Sequence, residues 1–376
     1  MSTLDIKKLY DRAGTGSPNF TNGLNISGSD SGLLAFAHYN QADEPTSPAN
    51  GDTWWDTTNE HYKVYVNDAW LTVLGTAAAA AVWYGDRGIA FGGESAGNSL
   101  NNISYFDITT ASNASDFGDL TIARRWLGSG GSDGSRGVMG TGDGAGVAVF
   151  TLDYITVSTA GNATDFGDTT QARYSAPSAM NDGTYAVFGP ASAGNFAAAA
   201  SRIDYITVQT TGNATDFGDP SVTRGVSATW SDATYGVMMG GVNQDAVDYL
   251  NVIDYITIAS PSNATDFGDL TVARKHSAGG GDTTRSLCAG GQQASAVNNI
   301  DYITTATTGN ATDFGDLLSN YSYLASASNG TYTTFIAGNS TNVIQKVTVQ
   351  TTGNATDHGD LNYSTRGLGG LSGSAA

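Results

Sequence analysis

The chain has 376 residues, of which 49 are glycine, 40% are apolar, 10% are aromatic and only 14% are charged. Its acidic residues are 32 Asp against Glu44, Glu60 and Glu94, and with 5 Lys it lacks the straight-chain charged residues that favour helices, so a mainly helical fold is excluded. A net charge of −19 repels the phosphate backbone and excludes a nucleic-acid-binding protein, while the apolar content excludes general disorder.

The N-terminus carries no targeting signal that the sequence can show. The opening MSTLDIKKLYDRAG has no apolar core of a signal peptide, and the apolar run from Ala77 to Trp83 is too short to cross a bilayer. We therefore expect neither Sec-dependent secretion nor membrane insertion. Cys288 is the single cysteine, which excludes an intrachain disulfide and a zinc site built from paired cysteines.

Residues 1–75 contain no repeat and are predicted to be a separate, β-rich attachment module. Period-two alternation predicts a meander of three strands over 52–57, 62–66 and 69–74, with Asn67-Asp68 as a hairpin turn. Residues 1–40 have little periodic pattern and are predicted to form an arm that orders on attachment.

Three of the six tryptophans lie in this module. Because a three-stranded meander is too small to bury them alone, we predict that they contact a partner; they are Trp54, Trp55 and Trp70. Residues 76–82 are predicted to be a linker.

From residue 83 to the C-terminus the chain is repetitive. The motif Asn-Ala-(Ser/Thr)-Asp-(Phe/His)-Gly-Asp, called here the Asn-Ala motif, occurs six times, and its copies start at Asn113, Asn162, Asn213, Asn263, Asn310 and Asn354. Each copy follows an alternating segment of the DYITV type, and each unit also contains an apolar run ending in glycine, such as GIAFGG at 88–93. This pattern predicts about four short strands per unit.

The phase of the repeat predicts how the first and last units are related. The first unit lacks the strand that should precede Trp83 to Gly93, and STRGLGGLSG at 364–373 is an extra copy of that strand. Units of this size cannot bury both faces of their own sheet, and radial packing solves this for antiparallel four-stranded units. We therefore predict an all-β, six-bladed β-propeller over 83–376, completed by the C-terminal strand.

The apolar strand ending in Gly-Gly, the Tyr-bearing strand, the acidic turn and the following Arg resemble kelch propeller repeats. The chain departs from that pattern because Phe117 and its equivalents stand where kelch units carry Trp. The resemblance implies architecture rather than a particular function.

Two sequence motifs resemble motifs in proteins of tailed phages. DYIT…GNATDFGDL…AR is similar to repeats of virion structural proteins, especially marine and cyanophage types, and P-x-x-P-x-x-G-D-x-W-W-D with YVNDAW is similar to modules of tail fibres. These resemblances imply a virion protein, tail-associated or decorating, assembled in the host cytoplasm, attached through residues 1–75 and bound to other virion proteins. They also imply a homo-oligomer, with a trimer favoured.

A rival function is a glycan-binding receptor module that recognises the host surface. Its predicted ligand-facing aromatic residues are Trp126 and Trp230, both near repeat arginines. Neither function requires an enzyme or a cofactor. His276 is tied to no carboxylate or nucleophile by the sequence, and the Ser-x-Asp-x-Gly-x-Thr-Trp boxes of sialidases are missing.

The repeated polar residues have structural and ligand-binding interpretations. Asn and Asp of the motif are predicted to cap their own backbone, although the Asp-rich turns also offer oxygen ligands for calcium. The arginine eleven residues after the first four motif Asn is predicted to bridge neighbouring units, and in the last unit Arg366 arrives one residue late. His358 replaces the motif Phe and is predicted to be structural.

Overall fold

The structure is a computed structural model that describes residues 38–41, 43–56, 61–66, 69–72, 83–175, 178–192, 199–200, 202–243 and 248–375. The chain divides into two compact units, 1–79 and 80–376. Strands and turns account for all regular structure in the described residues, where no helix occurs. The protein is therefore all-β.

The first unit contains one four-stranded sheet. Its strands are β1 (His38–Gln41), β2 (Thr53–Asp56), β3 (His61–Val66) and β4 (Ala69–Thr72). β2, β3 and β4 are the predicted antiparallel meander, whereas β1 was not predicted and pairs in parallel with β2. The predicted arm otherwise lies outside the described residues, as do the Asn67-Asp68 turn and the linker.

The second unit contains six sheets that follow the repeats. Sheet 1 begins with β5 (Arg87–Phe91), β6 (Glu94–Ser95), β7 (Asn98–Asp107) and β8 (Ser115–Arg124). Sheet 2 contains β9 (Gly131–Ser132), β10 (Arg136–Met139), β11 (Asp143–Gly144), β12 (Val147–Thr156) and β13 (Thr164–Arg173). Sheet 3 contains β14 (Ala179–Asn181), β15 (Tyr185–Phe188), β18 (Ile203–Thr207) and β19 (Thr215–Gly218), with β16 (Ala191–Ser192) and β17 (Ala199–Ala200) as a separate pair.

The remaining sheets are regular. Sheet 4 contains β20 (Ala228–Ser231), β21 (Tyr235–Asn243), β22 (Asp248–Thr257) and β23 (Thr265–Asp269). Sheet 5 contains β24 (Ala278–Gly281), β25 (Arg285–Ala289), β26 (Val297–Thr304) and β27 (Thr312–Tyr321). Sheet 6 contains β28 (Ala325–Ser328), β29 (Tyr332–Ile336), β30 (Thr341–Thr348) and β31 (Thr356–Thr365). The last strand is β32 (Gly369–Gly373).

β32 belongs to the first sheet. It pairs antiparallel with β5, from Gly369 opposite Phe91 to Gly373 opposite Arg87. Sheet 1 therefore has the order β32-β5-β7-β8, which matches β20-β21-β22-β23 of sheet 4. This is the pairing that the phase of the repeats predicts.

Each Asn-Ala motif anchors the last strand of its sheet through a buried aromatic residue. Phe117, Phe166, Phe217, Phe267 and Phe314 are each no more than 4% exposed. All five lie edge-on to a Tyr of the preceding strand, as Phe117 does to Tyr105 at 6.0 Å. His358 takes the Phe position in sheet 6, is 1% exposed, and contacts the carbonyl of Asp107 through Nε2 at 2.8 Å.

The glycine of the motif is needed for the approach of the neighbouring sheet. Gly118 has φ of +149° at a register shift between β7 and β8, and a Cβ there would lie 2.4 Å from the carbonyl oxygen of Gly161. Any side chain would therefore push the two sheets apart.

The motif Asn joins sheets rather than capping its own backbone, which corrects the prediction. Oδ1 of Asn162 accepts a hydrogen bond from the backbone N–H of Asp119 in the preceding sheet, at 3.1 Å. The same bond recurs at all six contacts, including the contact between sheets 6 and 1, where the N–H of Asp360 donates to Oδ1 of Asn113. Self-capping instead occurs at the turn between the first two strands, where Asp232 accepts bonds from the N–H groups of Thr234 and Tyr235.

The repeat arginines bridge neighbouring sheets, as the sequence predicts. Arg124 of sheet 1 pairs with Asp153 of sheet 2 at 2.6 Å, and both side chains are fully buried. Asp153 also accepts hydrogen bonds from the N–H and the hydroxyl of Thr121, at 3.0 and 2.6 Å. The equivalent buried pairs are Arg173–Asp204 at 2.7 Å, Arg224–Asp254 at 2.8 Å and Arg274–Asp301 at 3.2 Å.

The last two contacts replace both charges together. Between sheets 5 and 6, Tyr321 and Gln345 take the positions of Arg and Asp, and Gln345 accepts a hydrogen bond from the N–H of Leu318 at 2.8 Å. Between sheets 6 and 1, Thr365 and Ser104 take those positions. Arg366 is therefore not a displaced copy of the repeat arginine, because Thr365 occupies that place in β31.

The first strands of the sheets pack directly against one another. Thr229 of sheet 4 donates its hydroxyl to Ala179 of sheet 3 at 3.0 Å, and the N–H of Gly130, beside β9 of sheet 2, donates to Gly370 of sheet 1 at 2.8 Å. A Cβ on Gly279 would lie 2.1 Å from the carbonyl oxygen of Thr229. These strands consequently consist largely of small residues.

Candidate functional site

One cavity brings equivalent residues of all six repeats together. Its walls include the residue two positions after each repeat arginine or its replacement, called here the divergent set: Trp126, Ser175, Val226, His276, Tyr323 and Gly367. The cavity has a volume of about 30 Å³, and the hydroxyl-bearing residues Ser129, Ser178, Ser227 and Ser277 also line it. This is enough polar space for one or two water molecules.

The divergent set differs from its surroundings in two ways. Two residues before each member of the set, the sequence has Arg in four of the six repeats. The set itself consists of six different residue types. In addition, Trp126, Val226, His276 and Tyr323 have φ between +55° and +62°, although only Gly adopts this conformation without strain. Side chains are therefore kept at strained positions, which is a property of functional sites.

A backbone ladder explains why this conformation recurs. The N–H of His276 donates to the carbonyl of Val226 at 3.1 Å, that of Tyr323 to His276 at 3.0 Å, and that of Gly367 to Tyr323 at 2.9 Å. His276, Tyr323 and Gly367 are thus each fixed by a neighbour from the adjacent sheet, which gives the side chains of His276 and Tyr323 a defined direction.

Three members of the set form an aromatic cluster, defined as Trp126, His276 and Tyr323. The centroids of His276 and Tyr323 are 3.9 Å apart, and those of Trp126 and Tyr323 are 5.0 Å apart. Gly367 makes the second contact possible, because a Cβ there would lie 2.6 Å from Cε3 of Trp126. The small residues Ser175 and Val226 form the opposite wall, which leaves the cavity between them.

Two arginines lie over the cluster. The guanidinium carbon of Arg366 is 5.2 Å from the Trp126 ring and 5.8 Å from the Tyr323 ring, and that of Arg125 is 5.6 Å from Trp126. Both arginines pair with Glu94, at 3.1 and 3.4 Å, and Arg125 also pairs with Asp143 at 2.7 Å. Their charges are thus largely neutralised by these carboxylates.

Lys275 is the third cation beside the cluster. Its Nζ lies 5.4 Å from the ring of Tyr249, and within the described ranges no carboxylate pairs with it. Burial lowers the pKa of Lys275 from its usual value. Burial, with a smaller contribution from Lys275, also holds the pKa of His276 well below its usual value. At neutral pH the imidazole is uncharged and offers one N–H donor and one acceptor.

A second cavity of about 20 Å³ lies at the other ends of the first strands. Trp83 and Trp230 line it, together with residues of five sheets such as Asn181, Ser328 and Ser372. The indole N–H of Trp230 donates to the carbonyl of Asp282 at 3.0 Å. Trp126 and Trp230 are therefore not brought together, since one precedes a first strand and the other lies inside β20.

In the first unit, Trp54 and Trp70 contact each other. Trp54 is only 3% exposed, and its ring centroid lies 5.6 Å from that of Trp70, which also meets Tyr65 at 5.2 Å. Trp54 is therefore largely buried, and its contact with a partner, like that of Trp70, stays a prediction. The side chain of Trp55 lies outside the described part of the structure.

No metal centre is present in the part of the chain that the structure describes. There, no group of three or more His, Cys, Asp or Glu side chains is arranged to hold an ion. In the same residues no helix is long and apolar enough to cross a membrane.

Sequence analysis singled out Trp126 and His276 but missed Tyr323 and Lys275. The signal that identifies them is divergence within the repeats. The two positions that directly follow the repeat arginine or its replacement differ in all or nearly all units. The arginine itself is the same in four units. In a repeat protein, positions needed for packing recur, so such divergence marks a surface with another role.

Comparison with known proteins adds no relative. No protein-family model matches the chain, and no curated protein is similar enough to be matched with it.

Proposed function

We propose that residues 83–376 form a closed six-bladed β-propeller of the kelch type. Six four-stranded sheets follow one another along the chain, and β32 completes the first of them. The hydrogen bond from Asp119 to Asn162 recurs at every contact, and the bond from Asp360 to Asn113 joins the last sheet to the first. A single cavity lined by all six repeats further supports a common axis.

We propose that the protein is a structural component of a tailed-phage virion, tail-associated or decorating. In this role the N-terminal unit attaches to other virion proteins and the propeller is a rigid interaction head. The observation that carries the proposal is the interlocking of all six contacts through buried polar residues, four of them fully buried Arg–Asp pairs. Such contacts resist opening because separation would leave buried charges unpaired.

The second unit has two distinct ends along its first strands. Trp83 lines the cavity at one end, and the aromatic cluster lies at the other end. The structural role requires no catalytic residue.

Glycan binding is the second candidate function. The aromatic cluster favours it, because half-buried aromatic rings beside a hydroxyl-lined cavity suit the apolar faces and hydroxyl groups of a sugar. This function is compatible with the first, since a virion head can contact the host surface.

Labelling of intact particles tests the structural role. Antibodies raised against the purified protein are expected to bind purified virions at a fixed position in electron micrographs, and the protein should co-purify with particles in constant ratio. Antibodies that bind a phage-encoded protein in the infected cell but never the particle would overturn the proposal.

A further inference from the structure

We propose that the cavity beside the aromatic cluster binds a sugar unit that carries a carboxylate, such as a uronic acid of an acidic polysaccharide. This inference rests on the glycan-binding candidate and gives it a site and a ligand class. It does not depend on attachment of the protein to a particle.

The position of the site is given by strain and divergence together. Val226 is β-branched and has φ of +55°, and Trp126, His276 and Tyr323 have similar values. Glycine would relieve this strain at each position, as it does at Gly367. Four non-glycine residues at equivalent strained positions around one cavity indicate that their side chains contribute something other than stability.

The polarity of the site suits the hydroxyl groups along one edge of a monosaccharide, because the cavity has room for hydroxyl groups while the sugar ring stays at its mouth. On one side lie Trp126 and Tyr323, both half-buried, and on the other Ser175 and Ser227. The ring nitrogens of the uncharged His276 can donate one hydrogen bond and accept another, which matches a pair of sugar hydroxyls. The water molecules that the cavity can hold would be displaced by these hydroxyls.

The charge of the site selects a carboxylate. The protein has a net charge of −19 with only 16 basic residues, yet Arg125, Lys275 and Arg366 each directly precede a member of the divergent set. Carboxylates of Glu94 and Asp143 hold the two arginines in place and largely neutralise them, so the charge that remains for a ligand is that of Lys275. Lys275 lies over Tyr249 and, among the described residues, has no carboxylate partner, so its ammonium is available to an anionic ligand.

The test compares two ligands that differ only at the carboxylate. Binding of methyl glucuronide and of methyl glucoside to the full chain is measured by ligand-observed NMR and calorimetry at low salt. The glucuronide is expected to bind roughly tenfold more tightly, which is the effect of one charge-assisted hydrogen bond. Lys275→Gln should remove this preference, because it keeps a polar side chain and loses the charge.

A matched control uses the other lysine that lies over a tyrosine. Lys346 is 4.4 Å from the ring of Tyr332 and donates to the carbonyl of Thr109 at 2.9 Å, and it contacts no residue of the aromatic cluster in the described part of the chain, so Lys346→Gln should leave the preference unchanged. Equal binding of both ligands would overturn the carboxylate proposal and leave the glycan-binding candidate standing. Binding of neither would overturn both. A preference that survives in Lys275→Gln would show that the carboxylate binds elsewhere.

Discussion

Asn113 accepts a hydrogen bond from the backbone N–H of Asp360, which lies 247 residues later in the chain, at a distance of 3.0 Å. Between consecutive sheets the same bond spans only 38 to 45 residues. The contact between sheets 6 and 1 therefore uses the geometry of the internal contacts, but it is formed by the two ends of the unit. It is supported by β32, which comes from the C-terminal end of the unit and pairs with β5 at its N-terminal end.

Deletion of residues 367–376 should destabilise the unit strongly. It removes β32 with the buried Leu368 and Leu371, and leaves β5 as an unpaired edge. We expect the melting temperature to fall by about 10 °C, which corresponds to a few kcal/mol in a domain of this size. Deletion of 375–376, which lie beyond β32, is the control and should have no effect. Equal melting temperatures for the two deletions would contradict closure by β32.

The buried ion pairs can be tested with a replacement that the protein already contains. Arg224→Met leaves Asp254 buried without its partner and should cost about 3–5 kcal/mol in the free energy of unfolding. Arg224→Tyr combined with Asp254→Gln copies Tyr321 and Gln345 and should cost less than the sum of the two single changes. Chemical denaturation of the unchanged protein, the single variants Arg224→Tyr and Asp254→Gln, and the double variant gives the coupling energy. Strict additivity would mean that the residues do not act as a pair.

Phe217→Ala tests the anchoring role of the motif aromatic residue. Phe217 is 3% exposed and lies edge-on to Tyr205 at 5.8 Å, so its truncation should cost about 3–5 kcal/mol. Ile122→Ala, at a 41% exposed position, is the control and should change stability by less than about 0.5 kcal/mol. A loss below about 1 kcal/mol for Phe217→Ala would show that the motif is not anchored by its Phe.

Local periodicity was sufficient to predict the sheets, because the Asn-Ala motif and the DYIT segments impose alternation in every unit. The first strands were harder to detect: they contain small residues such as Gly279, whose role is the close approach of another strand. The parallel strand β1 was missed for a similar reason, since HYNQ has no alternation of its own and is placed by its partner β2.

The contacts between sheets could not be predicted from one stretch of sequence, because each contact depends on two distant positions in the chain. The sequence allows the motif Asn to cap its own backbone. In the structure, Asn162 of sheet 2 instead accepts a hydrogen bond from Asp119 of sheet 1, and this pairing is not visible in the local sequence. The exchange of Arg–Asp for Tyr321–Gln345 is visible in the sequence once the pairing is known. The aromatic cluster could not be predicted from the Trp residues. Trp126 contacts Tyr323, which lies about two hundred residues later in the chain, and the contact is possible because Gly367 has no side chain there.

His276 should make stability depend on pH. Its pKa is held well below the usual value by burial, with a contribution from Lys275, so the folded protein keeps the imidazole neutral. The unfolded chain binds a proton below about pH 6.5, and stability is therefore lost as the pH falls from there, by at most about 1.4 kcal/mol per pH unit for one group. The melting temperature of His276→Gln should fall less between pH 7 and pH 5 than that of the unchanged protein. His358, whose pKa is also lowered, is present in both proteins and does not affect the difference. Parallel pH profiles would show that His276 does not titrate in this range.

Self-association should reside in the N-terminal unit. Its sheet has only four short strands, and sheets of this size usually need another surface for stability, whereas like charge opposes association of the acidic second unit with itself. We expect the full chain to have the mass of a trimer in solution and residues 80–376 to have the mass of a monomer, by light scattering coupled to size-exclusion chromatography. Circular dichroism of the fragment, with a β-sheet spectrum and a cooperative melt, is the control for folding. A monomeric full chain would contradict the trimer, and a folded fragment that associates as the full chain does would place the interface in the second unit instead of the N-terminal unit.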